Sequence, residues 1–258
     1  VERSQNAPAI GRPTSTTSPH AGPRTAAVWA VLRRELDRLG DRALTVLDVG
    51  GGTGGFAVPL AEAGHRVTVV DASPDALAAL TRRAAEAGVA DRVRAVQGDG
   101  DALAGLVEPS SADLVLCHAV LEVVDDPAEV VGAVATALRP GGAASVLVAG
   151  RAAAVLSRAM NGHLDLAATI LADPEGCAGP RDTLRRRYDA EGAAALLRAA
   201  GLEVEQIHGV RVLADLIPAV VADADPAALL ELELTAAAHP PYRDMAAQLH
   251  LFARRPAS

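Results

Sequence analysis

Thr45-Val46-Leu47-Asp48-Val49-Gly50-Gly51-Gly52-Thr53-Gly54-Gly55 is the stretch whose reading decides the fold. A short apolar run (Val46, Leu47, Val49) ends in glycines, and an apolar helical pattern starts at Phe56. The order reads as strand, tight turn, helix. Asp48, Gly50, Gly52 and Gly54 fit the pattern Asp-x-Gly-x-Gly-x-Gly. Glycine is required where the backbone enters regions closed to side chains, and where a ligand lies against the main chain. Many nucleotide-binding folds carry such a turn, and Asp48 narrows the choice. A dinucleotide puts pyrophosphate at the helix N-terminus, where a neighbouring carboxylate is unfavourable. A ligand with an ammonium and a sulfonium tolerates that acid. The stretch is therefore read as a site for S-adenosylmethionine (SAM), with Asp48, Gly50, Gly51 and Gly52 against it.

Upstream, residues 1–23 are rich in Pro, Ser, Thr and Gly and lack periodicity, so a flexible arm is expected there. A domain spanning 24–258 follows. Its first helix runs from Thr25 to Gly40, with Ala26, Trp29, Leu32, Leu36 and Leu39 on one face. Downstream, a helix over Phe56–Ala63 leads to a strand over His65–Val70, closed by Asp71 with Ala72 beside it. Asp71 lies at about the spacing expected of an acid on ribose hydroxyls, ~20 residues after the turn. Its alternative is to cap the next helix, for which Ser73-Pro74-Asp75 offers a better start. A helix over Pro74–Ala87 and a strand over Val93–Val96 come next, then Gly98-Asp99-Gly100-Asp101. Asp99, Gly100 and Asp101 suit contacts with an adenine and its surroundings; an ordinary acidic turn is the competing reading.

Ala112–Cys117 is a continuous apolar run, as for a central parallel strand. His118 sits just past its end. A helix to Leu138, a sharp turn at Arg139-Pro140-Gly141-Gly142 and a strand over Ala143–Ala149 complete five alternations of strand and helix. The fold class expected is α/β, a Rossmann-like doubly wound parallel sheet with its ligand at the carboxyl ends of the strands. Residues 150–189 break the rhythm and are read as a helical cap insertion, with Arg181, Arg185, Arg186 and Arg187 near its end. A helix over Ala190–Ala200, a strand over Val204–Gly209, helices over Asp225–Ala238 and Tyr242–Ala247 and a strand over Gln248–Ala253 close the chain.

Half of the 258 residues are hydrophobic, enough for a full core. All 24 basic residues are arginine, and the net charge is −8, which disfavours a general nucleic-acid surface but permits a local basic patch. Cys117 and Cys177 are too few for a disulfide framework. No apolar run reaches membrane-spanning length, and a cytoplasmic protein is expected. His163 and Asp165 have no third ligand nearby in sequence, so no metal is expected. Oligomeric state has no signature.

The glycine turn, Asp71, the acidic third-strand end and Leu138-Arg139-Pro140-Gly141-Gly142 together resemble a class I SAM-dependent methyltransferase. Four further stretches sharpen this: 118–127 (His-Ala-Val-Leu-Glu-Val-Val-Asp-Asp-Pro), Gly209-Val210-Arg211-Val212, Leu229-Leu230-Glu231-Leu232-Glu233 and Gln248-Leu249-His250-Leu251. They resemble the transfer-RNA methyltransferases that esterify the carboxyl group of 5-carboxymethoxyuridine at the wobble position. The resemblance covers roughly 24–254. It implies SAM as cofactor, S-adenosylhomocysteine as its product, and cofactor contacts at Arg24, Gly50, Gly51, Asp71, Gly100, Asp101 and His118. Two departures stand out: arginines replace the family's lysine-rich cap loop, and Thr53 stands where the family has an acid.

A carboxylate acceptor needs no general base at neutral pH; a hydroxyl or amine does, and His118 is the nearest candidate. His118 also fits as a cofactor or wall residue. Arg211 fits a bidentate clamp on a substrate carboxylate or a structural salt bridge. Four functions stay open: methylation of a transfer RNA bearing an acidic group, O- or N-methylation of a small molecule, SAM binding by a non-catalytic regulator, and NAD-dependent oxidoreduction, against which Asp48 argues.

Overall fold

The computed structural model describes residues 24–99 and 102–257, so the expected arm at 1–23, Gly100 and Asp101 lie outside the described residues. The chain begins with α1 (Ala26–Leu39), β1 (Thr45–Val49), α2 (Ala57–Glu62), β2 (Arg66–Asp71), α3 (Pro74–Glu86) and β3 (Val93–Gln97). Next come α4 (Leu103–Leu106), β4 (Ala112–His118), α5 (Pro127–Ala137), β5 (Leu138–Ala149), α6 (Arg151–Met160) and α7 (Leu164–Ala172). It ends with α8 (Ala190–Ala199), β6 (Glu203–Val210), α9 (Ala219–Ala224), α10 (Pro226–Ala237) and β7 (Gln248–Arg254).

The strands form one sheet in the order β3-β2-β1-β4-β5-β7-β6. From β1 the chain winds outward through β2 and β3, then returns to place β4 on the other side of β1. The order reverses at β1 and β4, which opens a crevice above their carboxyl ends. β4 is buried from Ala112 to Cys117 because it has parallel neighbours on both sides and helices over both faces. Leu114 and Leu116 pack with Val46, Leu32 and Phe252 on one face. Val115 and Cys117 pack with Val131, Leu197 and Leu251 on the other. Ser73 caps α3 by accepting the Ala76 amide at 3.2 Å, with Pro74 in the first turn.

Two details depart from the expected fold. The sheet is mixed: β7 runs antiparallel to both β5 and β6. The helices after β6 carry the chain out and back to the same edge, where the Ala247 amide donates to the Arg211 carbonyl at 3.3 Å, so β7 starts beside the end of β6. The turn at Arg139–Gly142 is instead a bulge inside β5, where pairing skips from Leu138 opposite Ala112 to Ala143 opposite Leu114. Residues beyond β7 hold it in line: Gly141 N donates to Arg255 O at 2.9 Å, and Arg255 N donates to Gly142 O at 2.9 Å.

Residues 151–187 form an excursion whose ends are pinned together. The chain leaves at Gly150 and returns at Tyr188, which bridges to it. Tyr188 N donates to Ala149 O, and Arg151 N to Tyr188 O, each at 2.9 Å. The Arg151 guanidinium spans the carbonyls of Ile170, Leu171, Asp173 and Pro174 at the end of α7, which satisfies groups that a helix leaves unpaired.

Candidate active site

The turn after β1 has the backbone its glycines require. Gly50, Gly52 and Gly54 have φ of +67°, +53° and +81°. A Cβ on Gly50 would come within 2.4 Å of Val120 Cγ2, and one on Gly54 within 2.3 Å of Leu80 Cδ1. At these positions the protein itself fills the space. Gly52 is different: a Cβ there would meet nothing nearer than Asp71 Oδ2 at 3.9 Å. Its face is open, as a ligand lying on the main chain needs.

Asp71, at the end of β2, reaches over to this turn. Its Oδ2 accepts the Gly52 amide and its Oδ1 accepts the Ser73 amide, both at 2.8 Å. Ala72, Gly98 and Asp99 line the same cleft of about 430 Å³, with Gly50 and Val70 below and Val120 and Val123 opposite. Asp99 Oδ1 accepts the Ala102 amide at 2.9 Å. Asp48 lies under the turn, 2% exposed, outside the residues lining the cleft. Burial, with a smaller push from the charge of Asp71, raises its carboxyl to about 7. A cation above the turn would favour its ionised form. Gly51 packs directly on it, since a Cβ at Gly51 would come 2.5 Å from Asp48 Cγ. Arg24 is exposed just before α1 and forms no ion pair among the described residues.

His118 ends β4. The Phe56 ring meets it edge-on at 4.7 Å between centroids, and Trp29 stacks on Phe56 at 5.0 Å. A chain that is 2% aromatic thus spends its one tryptophan and one of its two phenylalanines beside this histidine. His118 Nε2 lies 2.9 Å from Ser145 Oγ, which lies 2.8 Å from His250 Nε2. Burial pushes the His118 imidazole down to about 4 and that of His250 well below its ordinary value. Both rings are neutral near pH 7.

A second cavity of about 280 Å³ lies between the ends of β5 and β6 and α6, lined by Gly150, Leu156, Met160, Arg187, Arg211 and Met245 among others. Arg211 has φ +60° and pairs with Asp215. Its Nε is buried and unpartnered among the described residues. The arginines of 181–187 divide their work. Arg187 grips Asp182, with Nη1 at 2.6 Å from Oδ2, and both side chains are buried. Arg186 donates to the carbonyls of Leu121 at 2.9 Å, Val124 at 2.7 Å and Asp125 at 3.1 Å. Arg185 pairs with Asp125, and both line the cleft of about 430 Å³. Three of the four therefore fasten the excursion to itself or to the segment after β4, and Arg181 remains exposed. Glu122 is 3% exposed, and burial raises its carboxyl.

The structure thus gathers Gly50, Asp71, Ala72 and Asp99 around one cleft, with Gly52 hydrogen-bonded to Asp71 beside it, His118 at the next strand end and Arg211 at a separate cavity. Sequence reading misses Ser145 and gives His250 no role. Their signal is polarity at inward positions of otherwise apolar strands. Among the described residues, no three His, Cys, Asp or Glu side chains are grouped to hold a metal, and no helix is long and apolar enough to cross a membrane.

Comparison with known proteins fits this geometry. The methyltransferase domain family matches residues 47–146, from β1 to β5. The chain is 32% identical over 238 residues to the tRNA 5-carboxymethoxyuridine methyltransferase of Escherichia coli K12, covering 91% of this chain and 89% of that one. It is 36% identical over 166 residues to a ubiquinone biosynthesis O-methyltransferase of Xylella fastidiosa, covering 64% and 63%. The fold matches a SAM-dependent methyltransferase from Mesorhizobium loti with a TM-score of 0.61 at 23% identity, over 91% of this chain and 100% of the other. Likeness along nearly the whole length settles the family: the chain is a class I SAM-dependent methyltransferase and belongs with the tRNA 5-carboxymethoxyuridine methyltransferases.

Proposed function

We propose that this methyltransferase esterifies a carboxylate on its acceptor, the carboxymethoxy group of a transfer-RNA wobble uridine, in the cytoplasm. The observation that carries this reading is the likeness to the Escherichia coli enzyme, which extends through the excursion and the Arg211 segment as well as the cofactor half. SAM supplies a methyl group already activated on a sulfonium. The open face of Gly52, the carboxylate of Asp71 for ribose hydroxyls and the Asp99 segment would hold it, Asp48 would favour its positive charge from below, and Arg24 would pair with its methionine carboxylate. Residues 150–189 act as the cap over the acceptor, and Arg211 as its carboxylate anchor, exchanging Asp215 for the substrate. A carboxylate is both anchor and nucleophile, so alignment and exclusion of water suffice. Mass spectrometry of wobble uridines from a strain lacking the protein tests this: free carboxymethoxyuridine should replace its methyl ester.

A second reading, O- or N-methylation of a small molecule, is supported by the net charge of −8, which disfavours a nucleic acid, and by the likeness to the Xylella fastidiosa O-methyltransferase. Salt separates the two. Transfer RNA releases counterions on binding, so its KM should climb steeply with ionic strength; a small molecule should show at most a shallow rise.

A further inference from the structure

We propose that Ser145 is a positioning residue that fixes the tautomer of His118, so that His118 offers an Nδ1–H donor to a carboxylate oxygen of the bound reactants rather than acting as a base. The inference rests on the esterification reading for the reaction concerned.

Strand register sets the geometry. His118 faces Leu147 on β5, Leu147 faces His250 on β7, and His250 faces His208 on β6. Ser145, two residues before Leu147, shares its face of the sheet. Its hydroxyl therefore sits between two imidazoles, at 2.9 Å from His118 Nε2 and 2.8 Å from His250 Nε2. Ser145 and His250 are both 0% exposed.

A neutral imidazole carries one proton, and a hydroxyl has one proton to donate. Three arrangements follow. If both rings donate to Ser145, its own proton has no acceptor among the described residues. If Ser145 donates to His250, the proton of that ring moves to Nδ1, which is buried and unpartnered. Either case leaves an unsatisfied donor between the strands of the sheet, on a residue that is fully buried. If His250 donates to Ser145 and Ser145 donates to His118 Nε2, His250 keeps a bare lone pair at Nδ1, and buried acceptors are left unpaired more readily than donors. The remaining donor is then His118 Nδ1–H. That atom too is buried and unpartnered among the described residues, but His118 as a whole is half-buried and stands at the carboxyl end of β4, so of the three donors it is the one a bound reactant can satisfy. His208 does not change the outcome. Its ring stacks on His250 at 6.1 Å, its own Nδ1 is also unpartnered, and burial holds it down at about 4.

An N–H at that place attracts an oxygen that is already anionic and cannot take a proton from an alcohol or amine. Where that oxygen is the acceptor's, the N–H selects an acceptor ionised at neutral pH. The oxygen belongs either to the acceptor or to the methionine part of SAM, which also ends in a carboxylate.

The test is long-range proton–nitrogen NMR of protein labelled with 15N-histidine. His250 should be protonated at Nε2 and His118 at Nδ1, and the His118 Nδ1 signal should shift on adding S-adenosylhomocysteine or the acidic acceptor. A shift with the first assigns the oxygen to the cofactor, and a shift with the second alone assigns it to the acceptor. Ser145→Ala should mix the His118 tautomers and lower kcat about tenfold, the loss of one hydrogen bond, and Ser145→Thr should restore both. His118 protonated at Nε2 in the wild type, or an Nδ1 signal unmoved by either addition, overturns the inference. Wild-type spectra decide even if Ser145→Ala does not fold. Absence of ester product would instead count against the esterification reading and leave the ring spectra unaffected.

Discussion

Asp71 Oδ2 accepts the Gly52 amide at 2.8 Å, which ties the acid at the end of β2 to the turn after β1. The residue proposed to hold ribose therefore also shapes the turn proposed to receive the cofactor. Asp71→Ala should weaken SAM binding by roughly 1–3 kcal/mol and lower the stability of the ligand-free protein as well. Calorimetry and thermal melting measure the two. Equal SAM affinity in the mutant would remove Asp71 from the site.

Gly50→Ala places a methyl group 2.4 Å from Val120 Cγ2 at φ +67° and should cost about 1–3 kcal/mol of stability. Gly55, in the same turn, has open space and no positive φ, so Gly55→Ala should be near neutral. Urea melts of the two variants make a matched comparison, and equal midpoints would contradict the packing account.

Asp48 should make the ligand-free protein less stable above neutrality. The folded carboxyl keeps its proton up to about pH 7, whereas an unfolded one loses it near pH 4. Between these values the folded state binds more protons, so this contribution is lost as pH rises through 7. Asp48→Asn should raise stability at pH 8 by on the order of 2 kcal/mol, and the gain should shrink toward pH 4. A gain that does not vary with pH would mean that the carboxyl is ionised when folded.

The histidines act in the opposite direction. His118, His208 and His250 are buried neutral, with folded values lowered by burial. The unfolded chain takes up protons first, so their contribution is complete above about pH 6.5 and is lost as pH falls toward the folded values, which lie near 4 for His118 and His208. Melting temperature in the Asp48→Asn background should therefore fall steadily on acidification from pH 7 to 4.5. A flat profile would show the rings to be already charged.

Arg186→Ala removes donors to three carbonyls after β4 and should free residues 173–187. Limited proteolysis there should speed up markedly, while Arg181→Ala, at an exposed site, should leave it unchanged. Equal rates would separate Arg186 from the fastening of the excursion.

The winding of β1 to β5 was legible because each strand is either a short apolar run or closes on glycine or aspartate, and α1, α2, α3 and α5 each carry a cap or a glycine stop; the four-residue α4 has neither and was not read. The reversal of β7 was not legible. It depends on where α9 and α10 return the chain, and α9, six residues long, carries too little periodicity to be read. Gly50 and Asp71 could be placed at the cleft from sequence, because glycine answers to the backbone angle of the turn and the acid closes β2 beside it; the ribose contact is part of the proposal. Arginine roles could not: Arg186 and Arg187 look like a free basic cluster in sequence, and their carbonyl and carboxylate partners lie across the fold or in a folded-back loop. The Ser145 bridge arises from register between strands distant in sequence.

The central claim is transfer of methyl to a carboxylate oxygen. Its most direct measurement uses SAM labelled with 13C at the methyl group, purified protein and transfer RNA bearing 5-carboxymethoxyuridine, followed by mild alkali. A methyl ester hydrolyses under those conditions, so the label should appear on the wobble nucleoside and then leave it as methanol, and Arg211→Ala should form little product while binding SAM normally. Label that stays on the acceptor through alkali, as an ether, amine or carbon-bound methyl group, would contradict the account.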